Sequence, residues 1–244
     1  MIPDRLLNAV LHLFALQAAS LRGGARAAAR GRVLAYLHDH VRLADAATYI
    51  GLFDDLAELH QGKAPEELLV QAARLGDQLQ TLLHGVERQA AVLRFLVLAG
   101  PSPEDSPARR IARLLGQTLG LSPASLDAVL DFIADPVASA RNRPTGRLMG
   151  GSETEAFRGR LAVLRLAADG LLLVAPLGDE PLTLEGRSLA PGDVQTLRPG
   201  QVVSDRWGNE LTAPQLVAAF TAAATNHSAL VLRGEHLDFR FPGS

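Results

Sequence analysis

The side chains best suited to bind a hard metal ion are three neighbouring carboxylates, Asp54, Asp55 and Glu58. Asp54 and Glu58 are four residues apart, so on a helix they share one face, whereas Asp55 does not. Because a hard cation requires several convergent oxygen ligands, Asp54 and Glu58 are weak candidate metal ligands. A solvated acidic helix face is the favoured interpretation of this cluster.

The remaining reactive residue types form no catalytic pattern. His38 and His40 are two apart, so on a helix they point about 200° away from each other and cannot bind one ion together. The only lysine, Lys63, does not stand in a phosphate-binding loop of the form G-x-x-x-x-G-K-[ST]. The chain has no cysteine and no G-x-S-x-G sequence. We therefore predict that this chain has no catalytic residue and no resident cofactor.

The elements that position these residues are helical over the first 135 residues. Pro65 in a first helical turn and the Ser-Pro pairs at Ser106 and Ser122 are helix start signals. Apolar residues at helical spacing predict an all-α bundle. Its helices are expected at about 4–21, 25–41, 44–60, 65–83, 86–98, 107–119 and 123–134.

The pattern changes after residue 135, so the predicted fold class is α+β. Residues 136–158 are rich in Gly, Ser, Pro and Arg and are expected to form a linker. Residues 159–205 alternate with period two and predict a small antiparallel β module of about four strands. Residues 206–229 are expected to connect this module, through a helix at about 212–223, to a strand in 230–244.

Trp207 stands in a polar turn after the predicted β module, Asp205-Arg206-Trp207-Gly208-Asn209. A ring with an apolar body and one polar N–H is suited to a contact surface. We expect Trp207 to hold the helical and β parts together, and it is the first interface candidate.

The composition of the chain argues against nucleic acid and membrane lipid as its partners. A net charge of −2 gives no general attraction to nucleic acid or to anionic lipid. The apolar N-terminal stretch 6–19 is interrupted by Asn8, His12 and Gln17, so an amphipathic helix is expected there and no direct membrane insertion. The lack of cysteine fits a reducing compartment, and a cytoplasmic location is predicted.

Three parts of the chain resemble known families. The helical part, with Ala9–Leu16, Gly31–Leu37 and Tyr49–Asp55, resembles the TerB-like (tellurite-resistance) region at the front of certain bacterial ABC transporter ATP-binding proteins. The β part, with Leu184–Leu189 and Leu197–Val203, resembles the back half of a forkhead-associated domain, without a matching Arg/Ser pair for phosphothreonine. Residues 236–244 resemble the opening strand of an ATP-binding cassette, in which Phe241 would stack on adenine.

Together these resemblances imply a function. They imply a non-catalytic cytoplasmic regulatory or docking region, the N-terminal part of an ABC transporter ATP-binding protein at the inner membrane, truncated after the first strand of its cassette. The full-length protein would bind ATP and Mg, and the partners would be its own downstream cassette and membrane domain, with a homodimer also allowed. The alternative is a stand-alone TerB-like protein that senses a metal or ligand in a stress response.

Overall fold

The computed structural model describes residues 4–21, 23–40, 43–150, 157–166 and 171–225, and all structural statements below concern these residues. They confirm an α+β fold, in which helices are followed by two small antiparallel sheets. None of the described helices is long and apolar enough to cross a bilayer.

The N-terminal part consists of eight helices whose starts are marked by proline and by capping side chains. Pro65, Pro107, Pro123 and Pro136 each stand in a first turn, where a missing N–H costs nothing. The caps Ser106, Ser122 and Asp135 accept from the backbone N–H three residues on. The helices are α1 Asp4–Ala19, α2 Gly24–His40, α3 Leu43–Leu59, α4 Pro65–Leu82, α5 Gly85–Ala99, α6 Pro107–Thr118, α7 Pro123–Ala134 and α8 Pro136–Asn142.

The first seven helices agree closely with the sequence prediction, whereas α8 lies in the interval 136–158 that was expected to be a linker. That expectation was wrong for the described part of the interval. Residues 136–142 are helical, and a strand, β1, follows at Gly146–Met149. Arg143, between them, donates to Asp131 of α7, which ties this segment to the bundle.

The β part has eight described strands, of which six lie within 159–205, where about four were expected, and one lies on either side of that range. Sheet 1 has the order β1-β2-β3-β6 and sheet 2 the order β5-β4-β7-β8, with every pair antiparallel. The strands after β1 are β2 Leu161–Arg165, β3 Leu172–Pro176, β4 Leu182–Leu184, β5 Arg187–Leu189, β6 Gln195–Leu197, β7 Val202–Asp205 and β8 Glu210–Thr212. The connecting helix expected at 212–223 is confirmed as α9, Ala213–Thr225.

Sheet 1 is the middle layer of the molecule, because its two central strands are buried on both faces. On one face, Ala162, Leu164, Leu173 and Ala175 belong to the same apolar core as the helices. On the other face, Leu161, Val163, Leu172 and Val174 pack with residues of sheet 2 and of α9. The β part is therefore joined to the bundle by a shared core, and it is not a separate module behind a linker.

Candidate functional site

The turn between β7 and β8 is organised by one buried carboxylate, that of Asp205, which is 6% exposed. Its Oδ1 accepts from the backbone N–H groups of Trp207 and Asn209, both at 2.9 Å. Its Oδ2 accepts from the Asn209 side-chain amide at 2.9 Å and from the backbone N–H of Arg158 at 3.1 Å. Four donors on one carboxylate give the turn a single defined shape.

The same hydrogen bonds decide the charge state of Asp205. Burial of the carboxyl group would raise its pKa, but the bonds from Asn209, Arg158 and Trp207 stabilise the ionised form and hold the pKa below its usual value. Asp205 is thus an anion at neutral pH and needs its donors in place.

Trp207 lies on this turn, and two arginines contact its ring. The guanidinium carbon of Arg206 lies 4.0 Å from the ring centroid and that of Arg158 lies 5.1 Å from it. Arg206 also forms an ion pair with Glu180 at 3.6 Å. Although Trp207 is 45% exposed, two cation–π contacts restrain its ring.

The ring contacts described for Trp207 lie within the β part, and the core that joins this part to the helices is at sheet 1. The expectation that Trp207 holds the helical and β parts together stays a prediction, as does its role as an interface residue.

The two weak metal candidates, Asp54 and Glu58, lie on α3 as predicted. Both oxygens of Asp54 accept from Arg30 of α2, at 2.8–3.1 Å, and this pairing raises the pKa of Arg30. A metal at Asp54 would have to displace a bidentate arginine. Among the described residues no three or more His, Asp or Glu side chains are grouped as metal ligands.

A pair of histidines that the sequence did not single out is brought together between α1 and the turn after α3. The Nε2 atoms of His12 and His60 lie 2.7 Å apart, and Lys63 Nζ lies 3.0 Å from His60 Nδ1. The histidines are 48 positions apart in the sequence, so no local pattern indicated that they would meet. Burial and the positive charge of Lys63 lower the pKa of both, that of His60 to about 4.

The tautomers of this pair follow from Lys63. An ammonium group can only donate, so His60 Nδ1 is the acceptor and its proton sits on Nε2. His60 then donates to His12 Nε2, and His12 carries its proton on Nδ1. A metal on His60 Nε2 would require a proton on Nδ1, facing the ammonium of Lys63, so this pair is built as a hydrogen bond and not as a metal site.

Phe241, the predicted adenine-stacking aromatic, lies outside the described residues together with the rest of 226–244. The expectation that the chain has no catalytic residue stays a prediction.

Comparisons with known proteins give no family for this chain. Its sequence matches no protein-family model, and neither a curated protein nor a solved structure shows a significant match.

Proposed function

We infer that the chain is a non-catalytic docking region that acts through protein–protein contacts. The observation that carries this inference is the Arg158–Trp207–Arg206 stack on the β7–β8 turn. Trp and Arg are the residue types that dominate binding energy at protein interfaces. A tryptophan that is 45% exposed, yet restrained by two arginines and by the Asp205 turn, loses little entropy on binding.

The side chains around Trp207 indicate what kind of segment this surface would bind. Two guanidinium groups beside an indole favour a segment that carries carboxylates next to an apolar or aromatic side chain. In keeping with the sequence resemblances, we propose the cassette of an ABC transporter ATP-binding protein as that partner. The region would then work at the cytoplasmic face of the membrane, and ATP and Mg would be bound by the cassette.

The coding sequence beyond Ser244 tests the identity of this partner. A G-x-x-x-x-G-K-[ST] sequence within about 25 codons supports a downstream cassette. A stop codon there removes the cassette as partner and makes an acidic segment of another protein the occupant to be sought.

The docking surface itself is tested by the fluorescence of Trp207, the only tryptophan of the chain. Titration with the separately expressed cassette should shift the emission to shorter wavelength, because binding removes water from the ring. Arg206→Gln should weaken binding about tenfold or more, whereas Arg141→Gln, an exposed arginine on α8, should not. An unchanged emission, or equal loss in both variants, would rule out this surface.

A further inference from the structure

A cleft of about 590 Å³ lies where the helices meet the sheets, a size typical of small-molecule sites. α2 contributes Ala35 and Tyr36 to one wall, and α5 contributes Arg94 and Val97. The opposite wall comes from the β4–β5 hairpin, from β6 and from the loops beside them. Its residues are Leu184, Glu185, Arg187, Ser188, Leu189, Asp193, Gln195, Thr196 and Gln201.

Four arginines lie in or near this cleft. Arg94 and Arg187 line it. Arg94 and Arg198 also lie near Tyr36. Burial raises the pKa of the Tyr36 phenol, and the charges of the two arginines oppose this rise. Arg32 stands behind the wall, half-buried, where its guanidinium donates to the carbonyl of Ala99 at 3.1 Å.

The two carboxylates of the cleft are each opposed by a donor or a cation. Glu185 Oε1 accepts from the backbone N–H of Val202 at 2.8 Å. Asp193 lies close enough to Arg32 to interact with it electrostatically. Burial lowers the pKa of Arg32, and the negative charge of Asp193 opposes this shift. Two arginines and two carboxylates thus line the cleft, and Arg32 and Arg198 lie nearby, so an anion would be held by the directed N–H groups of the arginines and not by an excess of charge in the lining.

The rim of the cleft includes the tight turn of the β4–β5 hairpin. Glu185 and Gly186 form this two-residue turn and have φ values of 51° and 78°, as such a turn requires. Positive φ strains Glu185, which has a side chain, more than it strains Gly186. The strained residue holds the β4–β5 turn against β7, and so fixes Arg187 and Ser188 at the mouth of the cleft.

We propose that this cleft binds a small ligand with an oxyanion group, a carboxylate or a phosphate ester, anchored by Arg94 and Arg187. A guanidinium group presents a planar fork that matches either oxyanion. Each arginine has five N–H donors in one plane, so a single guanidinium group can contact both the protein and a ligand. Ser188, Thr196 and Gln201 supply further hydrogen bonds, and Val97 and Leu189 cover an apolar portion.

This binding site is independent of the Trp207 surface. The two sites lie at opposite ends of β4. Glu185 and Arg187 are at the end where Leu184 pairs with Val203. The β7–β8 turn begins at the other end, where Leu182 pairs with Asp205. Failure of the docking proposal would therefore leave this one intact. A ligand that contacts α2, α5 and sheet 2 at once would stiffen the joint between the helical and β parts.

The experiment measures calorimetric binding and thermal stabilisation of the whole chain with three probes. These are AMP, citrate and inorganic phosphate, each at about 10 mM and at matched ionic strength. Binding of AMP alone assigns a phosphate ester, and citrate alone assigns a polycarboxylate. Binding of both, or of phosphate alone, supports a general oxyanion site.

Arginine variants then locate the binding. Arg94→Gln and Arg187→Gln should each weaken the best probe about tenfold or more, and Arg187→Lys should also weaken it because the fork is lost. Arg187 is exposed, so its variants should fold even if Arg94→Gln does not. The control is Arg74→Gln, an exposed arginine on α4. No binding of any probe, or equal loss in the control, overturns the proposal.

Discussion

The Nε2 atoms of His12 and His60 lie 2.7 Å apart, with the ring planes inclined by only 21° and the centroids separated by 4.9 Å. That centroid distance is about the nitrogen–nitrogen distance plus two ring radii, so the rings meet edge to edge. One proton therefore lies between the two nitrogens, and Lys63 on the far side of His60 fixes which ring donates it.

This geometry predicts a loss of stability in mild acid. The folded pKa of His60, about 4, lies below its ordinary value of 6.5, and that of His12 is lowered too. Above pH 6.5 both histidines are neutral in the folded and in the unfolded chain, so they do not make the free energy of unfolding depend on pH. Between pH 6.5 and about 4 the unfolded chain binds protons that the folded chain does not, so the free energy of unfolding falls. After allowance for solvent screening, we expect a loss on the order of 2 kcal/mol.

Urea unfolding at pH 7 and pH 5 measures this loss. His60→Gln should be less stable at pH 7 but should show a much smaller pH dependence. His84→Gln, which changes an exposed histidine at the start of α5, should behave like the unchanged protein. If His60→Gln retained the full pH dependence, the histidine pair would not be its source.

The helical part was predictable from the sequence because its signals are local. Pro65, Ser106 and Ser122 mark helix starts through backbone chemistry that involves only neighbouring residues. The apolar periodicity between such signals then places each helix to within a few residues. Nothing in this reasoning required knowledge of the tertiary structure.

The core shared by sheet 1 and the helices, and the side-chain clusters around Asp205 and His60, could not be predicted. Both depend on pairing between distant parts of the chain. The strands β2 and β3 are apolar on both faces, which alone indicates double burial, but only the register shows that Leu164 meets helices while Val163 meets sheet 2. Likewise, Asp205 and Arg158 are 47 residues apart. The turn around Trp207 was recognised, but not the arginines that hold its ring.

A second prediction concerns the strained turn at Glu185, whose φ is 51°. Glu185→Ala removes the hydrogen bond to Val202 N–H and keeps the backbone strain. Glu185→Gly removes the same bond but relieves the strain. We expect the glycine variant to be more stable than the alanine variant by about 1 kcal/mol. Chemical denaturation of the two variants measures the difference, and a more stable alanine variant would contradict a strained turn.

A third prediction concerns Asp205, which accepts four hydrogen bonds. In Asp205→Asn one oxygen becomes an NH₂ group that faces donors, so we expect destabilisation by about 2–3 kcal/mol. Because the folded pKa is below the usual value, the stability due to the ionised carboxylate is present at neutral pH and is lost only as pH falls through that lowered pKa.

The control for Asp205 is Asp179→Asn, which changes an exposed carboxylate near the same sheet. Denaturation curves at pH 7 should separate the two variants clearly. The emission of Trp207 should also become redder in Asp205→Asn, since the turn that restrains the ring is loosened. Equal stability of both variants would show that the Asp205 hydrogen bonds contribute little.

The last prediction tests whether residues 143–149 belong to the folded core, contrary to the linker interpretation. A Cβ on Gly146 would lie 2.6 Å from Ala140 Cα and 2.8 Å from the carbonyl oxygens of Ser139 and Ala140, all backbone atoms that cannot move aside cheaply. Gly146→Ala should therefore force β1 away from α8 and destabilise the protein by about 2 kcal/mol or more. Gly31→Ala, on the open surface of α2 where a Cβ meets nothing within 4 Å, should instead stabilise by about 0.5–1 kcal/mol. The two melting temperatures should thus move in opposite directions, and an unchanged value for Gly146→Ala would mean that β1 is not packed on the helices.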